Sequence, residues 1–369
     1  MSFICHPEIH QYERIETLLR EMKVGKGDCI LTNRYTFNAA CYPVEGAQII
    51  WQEDYGVGEP DCGMVRSILS DVASASRIIG IGGGTVLDIA KIMALNTENV
   101  ELYDLFSGNQ APIKKRELVL VPTTCGTGSE VTNVAVVAFP DKGVKLGLAN
   151  RALFADHAVL VPEFLRTLPY RPFIYSAIDA LVHAAESLIS PKSNAFTRLY
   201  SVEAIRTLIS GFKQIAQEGF ANDINLLADF QLAACQAGLA FGNAGCGTVH
   251  AMSYPVGAEF HIAHGEVNYA LFLDTLRYYQ NLEVCPESMR QLQVLLADCL
   301  KCTPEKSVDE LDAMLTQVIP RKRLCEYGMT MAQIDEFSAL VMDRQQRLLR
   351  NSPHPMDHDD IQKIYRLAW

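Results

Sequence analysis

Asp179 and His183 stand four residues apart in Ile178-Asp179-Ala180-Leu181-Val182-His183. On a helix they share one face, one turn apart. A second histidine-bearing stretch runs from Thr248-Val249-His250-Ala251-Met252-Ser253-Tyr254-Pro255 to His261-Ile262-Ala263-His264-Gly265-Glu266. Pro255 and Gly257 are expected to break a helix between His250 and His264, so that the chain turns and both imidazoles reach one point. His157, His183, His250, His261 and His264 fall in the middle of the chain, and three of them can join Asp179. One carboxylate and three neutral imidazoles suit a borderline divalent ion such as Fe²⁺, Zn²⁺ or Co²⁺. Taken singly, each histidine is equally well explained as a helix cap or a polar core residue.

Two other segments have the chemistry of anion binding. Ser76-Arg77-Ile78-Ile79-Gly80-Ile81 leads into Gly82-Gly83-Gly84-Thr85 and then Val86-Leu87-Asp88-Ile89-Ala90-Lys91, which reads as strand, glycine turn and helix. Consecutive glycines let backbone N–H groups approach a pyrophosphate, and the helix N-terminus adds partial positive charge. The spacing is not the usual dinucleotide fingerprint, because Thr85 occupies the last glycine position. After Val119-Leu120-Val121-Pro122 comes Thr123-Thr124-Cys125-Gly126-Thr127-Gly128-Ser129-Glu130. Its hydroxyls and glycines cluster where a strand ends, the place where open α/β sheets bind ligands. Two donor-rich loops after strands point to a shared dinucleotide site.

The elements that position these groups change character midway. Strands are expected at Asp28–Thr32, Gln48–Trp51, Arg77–Ile81, Glu117–Val121, Val134–Phe139 and Ala158–Val161, with helices such as Met64–Ala75 and Val86–Leu95 between them. Such alternation implies a mostly parallel sheet covered by helices. Past Pro162–Pro169 almost no strand-like run remains. Helices are expected at Phe173–Leu188, Ala195–Phe212, Asn225–Ala240, Pro286–Leu300, Met331–Leu349 and Asp359–Leu367. The chain therefore divides into an α/β domain, 1–168, and an all-helical domain, 169–369.

Composition excludes several classes of partner. The 369 residues suffice for two ordinary domains. The net charge of −11 argues against nucleic acid and anionic membranes, both of which need a positive footprint. No uninterrupted apolar run of membrane length is present. The N-terminus lacks a basic region followed by an apolar run, so no signal peptide is expected. The odd number of scattered cysteines, eleven, reads as reduced thiols in a cytoplasmic protein. Cys299 and Cys302 form a solitary CxxC that reads as a helix end.

These motifs resemble the iron-dependent alcohol dehydrogenase family over nearly the whole chain. The resemblance is carried by Gly82-Gly83-Gly84-Thr85 with Asp88 and Lys91, by Pro122-Thr123-Thr124 with Gly126-Thr127-Gly128-Ser129-Glu130, and by Asp179-Ala180 with His183-Ala184. His250 with Tyr254-Pro255 and Gly257, and Phe260-His261 with His264-Gly265, carry it further. Within the family the chain is most similar to members that act on 4-hydroxybutyrate. That likeness rests on Phe241-Gly242-Asn243-Ala244-Gly245, His264-Gly265-Glu266-Val267-Asn268-Tyr269, Val24-Gly25-Lys26-Gly27-Asp28 with Ile30-Leu31-Thr32-Asn33, and Gln345-Gln346-Arg347-Leu348-Leu349.

The resemblance implies a dehydroquinate synthase-like architecture, with a dinucleotide-binding α/β domain followed by a helical metal-binding domain. It implies NAD as cofactor and a divalent ion, Fe²⁺ before Zn²⁺, on Asp179, His183, His250 and His264. NAD is expected at Asn33, Gly82, Gly83, Gly84, Thr85, Asp88, Thr123, Thr124, Thr127 and Lys145. Phe241 falls where the family has an aromatic beside the substrate. Two positions depart from the family pattern. Asn33 stands where many relatives have an acid for the adenosine ribose, which relaxes NAD preference. Tyr254 stands where many have histidine, which alters the pocket or proton path. His261, three residues before His264, is the candidate proton relay. The implied reaction is reversible oxidation of 4-hydroxybutyrate to succinic semialdehyde, with the metal as Lewis acid and nicotinamide as hydride acceptor. His261, Tyr254 and Arg347 are the candidates for holding the substrate carboxylate. The alternatives are a general primary-alcohol, 1,3-propanediol or glycerol dehydrogenase, and a dehydroquinate synthase-like lyase. The expected partner is a small hydroxy acid or primary alcohol, and a homodimer is left open.

Overall fold

The structure, a computed structural model, describes residues 2–72, 74–98 and 100–369. It separates into two compact units, Cys5–Leu168 and Pro169 to the C-terminus, and the segment ending at Ile4 groups with the second. The expected division placed that segment with the α/β domain. The Ile4 N–H donates to Asn243 Oδ1 at 2.7 Å, the Asn243 amide returns a bond to the Ile4 carbonyl, and Phe3 stacks on Phe196 and Tyr200.

The first unit runs β1 (Glu8–Gln11), α1 (Ile15–Glu21), β2 (Asp28–Thr32), β3 (Gln48–Trp51), α2 (Cys62–Asp71), β4 (Arg77–Gly82), α3 (Gly84–Met93), α4 (Leu102–Ser107), β5 (Glu117–Pro122), β6 (Val134–Phe139), β7 (Val144–Ala149) and β8 (His157–Leu160). Six strands form one parallel sheet in the order β1-β8-β5-β4-β2-β3. Its central strands β2, β4 and β5 bury both faces, which accounts for their nearly unbroken apolar runs. Cys29, Leu31, Ile78, Leu118 and Leu120 face the α2 and α3 side, whereas Ile30, Ile79, Ile81, Val119 and Val121 face the side covered by α1. Each fully buried aliphatic side chain contributes about 1.5–3 kcal/mol.

Val134–Phe139 is a strand as expected, but it lies outside this sheet. It pairs antiparallel with β7 in a separate hairpin. Two strands were not anticipated: β1, whose four residues include only the apolar Ile9, and β7. α2 ends at Asp71, earlier than the expected Ala75, and Ala73 lies outside the described residues.

The second unit is helical: α5 (Tyr170–Ile189), α6 (Ala195–Glu218), α7 (Ile224–Ala244), α8 (Thr248–Phe260), α9 (His264–Gln280), α10 (Glu287–Leu300), α11 (Ser307–Val318), α12 (Gln333–Arg344), α13 (Gln346–Leu349) and α14 (His358–Ala368). α5 is buried from Phe173 to Ile189 except at Ser176, so it is the helix around which the others pack. Asn194 caps α6 reciprocally with Thr197, and Asp223 caps α7. Among the described residues α7 alone is long and apolar enough to cross a membrane, and 61% of its most apolar window is buried within the protein.

The expectation that Pro255 and Gly257 break the helix after His250 is corrected. α8 continues through Pro255 to Phe260, and the chain turns at His261, whose φ of 52° is left-handed. Pro255 deprives the helix of one N–H, but the flanking turns remain helical. The segment expected as one helix from Met331 to Leu349 is two, interrupted at Gln345.

Candidate functional site

At the carboxyl edge of the parallel sheet, the glycine turn and the threonine loop lie against each other. Gly82 ends β4, Gly83 caps α3 and Gly84 begins it. A Cβ on Gly82 would stand 2.5 Å from Val86 Cβ, so only glycine permits this entry into the helix. Gly83 lies against Thr124 and Gly84 against Thr127, and the Thr123 N–H donates to the Gly82 carbonyl at 3.0 Å. No side chain caps the first turn of α3, which leaves its N–H groups to a ligand or solvent. The buried Thr124 Oγ1 has no protein partner. An anion such as a pyrophosphate would satisfy both, so the residues fit a dinucleotide.

Asp88, expected at the cofactor, and Lys91 make buried contacts within the protein. The Asp88 oxygens accept from Ser129 Oγ at 2.8 Å and from the Val136 N–H at 3.0 Å. Lys91, fully buried, donates to Ser129 Oγ at 2.7 Å and the Val134 carbonyl at 2.6 Å. Together they clamp the end of the threonine loop and the start of β6 onto α3. Thr85 Oγ1 donates to the Gly58 carbonyl, and Lys145 pairs with neighbouring Glu59 at 2.5 Å. Asn33, buried just beyond β2, donates from its amide to Gln52 Oε1 at 2.9 Å and Glu53 Oε2 at 3.0 Å. Glu53, just beyond the neighbouring strand, thus brings a carboxylate to position 33.

In the helical unit Asp179, His183, His250 and His264 come together, with one ligand atom from each lying within 4.8 Å of the others. His183 Nδ1, His250 Nε2 and His264 Nε2 stand 3.9, 3.7 and 3.8 Å from the Asp179 oxygens. Asp179 and His183 share a face of α5, while His250 lies in the first turn of α8 and His264 begins α9. The approach of α9 to α5 depends on Gly265, where a Cβ would meet the Tyr175 carbonyl oxygen at 2.3 Å.

Three residues to which the sequence reading gave no role complete the arrangement. Glu186 lies one turn beyond His183 on the same face of α5. One of its oxygens accepts from His250 Nδ1 at 2.6 Å and from the Gly247 N–H at 2.9 Å, and the other from the Val249 N–H at 2.6 Å. This makes Nδ1 the protonated nitrogen of His250 and leaves the Nε2 lone pair facing the cluster. Asn268, one turn after His264, places its amide nitrogen 2.7 Å from Asp179 Oδ1 and 3.2 Å from both His250 Nε2 and His264 Nε2. The third is Gly265. The i, i+4, i+7 spacing of Asp179, His183 and Glu186, and the i+4 spacing of Asn268 from His264, were the available signals.

One amide nitrogen has two hydrogens for three facing lone-pair groups. Acceptors outnumber donors, and a cation fits that imbalance. Burial alone would raise the Asp179 carboxyl, but the three imidazoles and the Asn268 amide outweigh it and hold it below the ordinary range. A neighbouring group of Glu186, Cys246 and His250 also lies close together. It is less suited to an ion, because Glu186 is committed to three donors and burial pushes the Cys246 thiol well above its ordinary range.

The cluster is flanked by aromatic rings. Phe241 stacks on His183 at 4.2 Å between centroids, His183 on His250 at 4.5 Å, and Tyr254 on His264 at 5.9 Å. His261 is exposed at the end of α8 and is not brought into the cluster. Arg347 is exposed on α13, although its charge acts on the Cys246 thiol. His157 lies in the other unit, at the start of β8.

Glu186→Gln should weaken Zn²⁺ binding at this cluster by about 10–100-fold, since it removes the carboxylate that orients a candidate ligand. Competition against a chromophoric chelator measures this directly. Unchanged affinity would make Glu186 a helix-packing residue only.

The family model described as "Iron-containing alcohol dehydrogenase" matches residues 10–162, and "Fe-containing alcohol dehydrogenase family, C-terminal" matches 173–369. The chain is 41% identical over 364 residues to 4-hydroxybutyrate dehydrogenase of Clostridium kluyveri, covering 98% of this chain and 97% of that protein. It is 32% identical over 302 residues to long-chain-alcohol dehydrogenase 1 of Geobacillus thermodenitrificans, covering 79% and 74%. Sulfoacetaldehyde reductase from Bifidobacterium kashiwanohense, solved in complex with NAD⁺, shares the fold with a TM-score of 0.85 at 20% identity, over 99% of this chain and 97% of that one. The protein belongs to the iron-containing alcohol dehydrogenase family.

Proposed function

We propose that this dehydrogenase interconverts 4-hydroxybutyrate and succinic semialdehyde with NAD as redox partner, and that Asp179, His183, His250 and His264 hold its divalent ion. The observation that carries the substrate assignment is the 41% identity to 4-hydroxybutyrate dehydrogenase over almost the entire chain. When bound, the ion supplies Lewis acidity toward an alcohol or carbonyl oxygen, and the nicotinamide supplies or accepts hydride.

The chain's own residues do the positioning. Glu186 sets the His250 tautomer, and Asn268 holds the Asp179 carboxylate by a 2.7 Å bond. Phe241 and Tyr254 stack on ligand imidazoles and form apolar walls that favour a short carbon chain. Tyr254 brings a hydroxyl to the same wall, which makes it the preferred candidate for substrate contact over exposed His261. The glycine turn and Thr124 hold the pyrophosphate, with Asn33 and Glu53 at the ribose end. The eleven free cysteines support a cytoplasmic location.

The substrate carboxylate is tested by comparing 4-hydroxybutyrate with 1-butanol, a chain of equal carbon count. One hydrogen bond to a charged group made in the transition state contributes about 1.5–3 kcal/mol. 4-Hydroxybutyrate should therefore exceed 1-butanol in kcat/KM by about tenfold to a hundredfold or more. Equal values for 1-butanol or 1,3-propanediol would make the enzyme a general primary-alcohol dehydrogenase.

The cofactor preference is tested at the strand ends. A carboxylate there repels the 2′-phosphate of NADP. Asn33→Asp should raise the NAD/NADP ratio of kcat/KM, and Glu53→Gln should lower it. A ratio that moves in neither variant places the ribose elsewhere.

A further inference from the structure

A second group of imidazoles and carboxylates lies at the opposite edge of the parallel sheet from the glycine turn. Glu8, Glu117 and His157 are the first residues of β1, β5 and β8, and His10 is two residues into β1 on the same face as Glu8. The strand register places Glu8 beside His157, and His157 beside Val119 of β5. His10 Nε2 and His157 Nδ1 are 3.0 Å apart, and Glu8 Oε2 is 3.8 Å from the former and 3.7 Å from the latter. The two separations from Glu8 match the 3.7–3.9 Å spacing of the imidazoles from Asp179. The three separations together bracket the spacing of about 3.3 Å expected between ligands of a tetrahedral ion with bonds near 2.0–2.1 Å.

A further contact prepares His157 for this role. Glu117 Oε1 lies 3.5 Å from His157 Nε2, the nitrogen turned away from the group. A carboxylate there favours the tautomer with hydrogen on Nε2 and leaves the Nδ1 lone pair directed at His10 and Glu8. Glu117 is itself near Arg77, at 3.8 Å, but that guanidinium is engaged with Asp28 at 2.8 Å. The pattern of carboxylate, imidazole and open lone pair repeats what Glu186 does for His250.

We propose that Glu8, His10 and His157 form a second divalent-ion site, with Glu117 orienting His157. Two imidazoles and one carboxylate select a borderline ion such as Zn²⁺, Ni²⁺ or Cu²⁺ over Mg²⁺ or Ca²⁺. The imidazoles are only about one-quarter exposed, at 26% and 23%, while Glu8 is 76% exposed, so solvent can complete the coordination. The ion has no part in hydride transfer. It ties β1, a four-residue edge strand, to β8, and so stabilises the folded chain by an amount that grows with the logarithm of the free ion concentration above its Kd. Without an ion, His10 and His157 share a hydrogen bond across the same gap.

The test is Zn²⁺ titration of the chelator-stripped full-length chain by calorimetry, with circular dichroism confirming that each variant is folded. The wild type should bind two ions. His264→Ala should retain one, and its thermal unfolding midpoint should still rise with Zn²⁺. His157→Gln, His10→Gln and Glu8→Gln should each lose the second ion or bind it at least tenfold more weakly, while remaining active with alcohol and NAD. Glu117→Gln should weaken the second ion by about tenfold. One ion in the wild type that His264→Ala abolishes would overturn the proposal and leave the group a hydrogen-bonded histidine pair. So would two ions bound undiminished after His157→Gln and His10→Gln. Failure of the Asp179 centre is distinguished by His264→Ala binding as many ions as the wild type.

Discussion

The convergence of three imidazoles on the Asp179 carboxylate constrains the helical unit more than any other interaction. Polar groups removed from water destabilise a fold unless they find partners. Here they meet one another, with Asp179, His183 and His250 buried and His264 partly exposed. The arrangement requires α9 to approach α5 at Gly265, and requires the turn between α7 and α8 to deliver His250 beside Glu186. That turn is secured by Glu186 itself, which accepts from the Gly247 and Val249 N–H groups. The Tyr279–Thr248–Ser352 hydroxyl chain secures it from the other side. Glu186 is therefore both a helix-terminus anchor and an imidazole-orienting group, and its burial serves the ion and the fold together.

The α/β unit meets a different constraint. The pyrophosphate proposed at Gly82–Gly84 needs backbone donors at close range, so the chain there has to stay bare, and the second loop has to be held against it. Lys91 and Asp88 provide that hold from inside α3. Burial disfavours both charges, raising the Asp88 carboxyl and lowering the Lys91 ammonium from their ordinary values. Hydrogen bonds to Ser129, Val134 and Val136 offset that cost by pinning the loop. The two residues that resemble a cofactor motif thus hold the loop beside the glycine turn.

Much of this was readable from residue types and spacing, because apolar periodicity reports burial and glycine runs report close backbone approach. The central parallel strands were legible because both faces are buried and their sequences are nearly continuous in aliphatic residues. β1 was not, because Glu8-Ile9-His10-Gln11 gains its pairing from β8 rather than from its own apolarity. Pro255 was misleading because a helix packed along its length can lose one hydrogen bond and continue. The turn was set at His261 by a left-handed backbone that non-glycine residues seldom adopt. Glu186 and Asn268 were missed although they stand at helical spacing from the candidate ligands. A buried carboxylate or amide on a helix has no distinctive composition until the group it faces is known. Glu53 was invisible for the related reason that its contact with Asn33 is made across strands.

The account rests on Asp179 as the anionic centre of a divalent-ion site needed for alcohol oxidation. The most direct measurement is the metal content and activity of purified Asp179→Ala beside the wild type, each reloaded with Fe²⁺ after chelation. Loss of the ion together with loss of NADH formation is the expected result, because the substitution leaves three imidazoles without a charge-balancing ligand. An Asp179→Ala protein that keeps its Fe²⁺ and oxidises alcohol at the wild-type rate would contradict it.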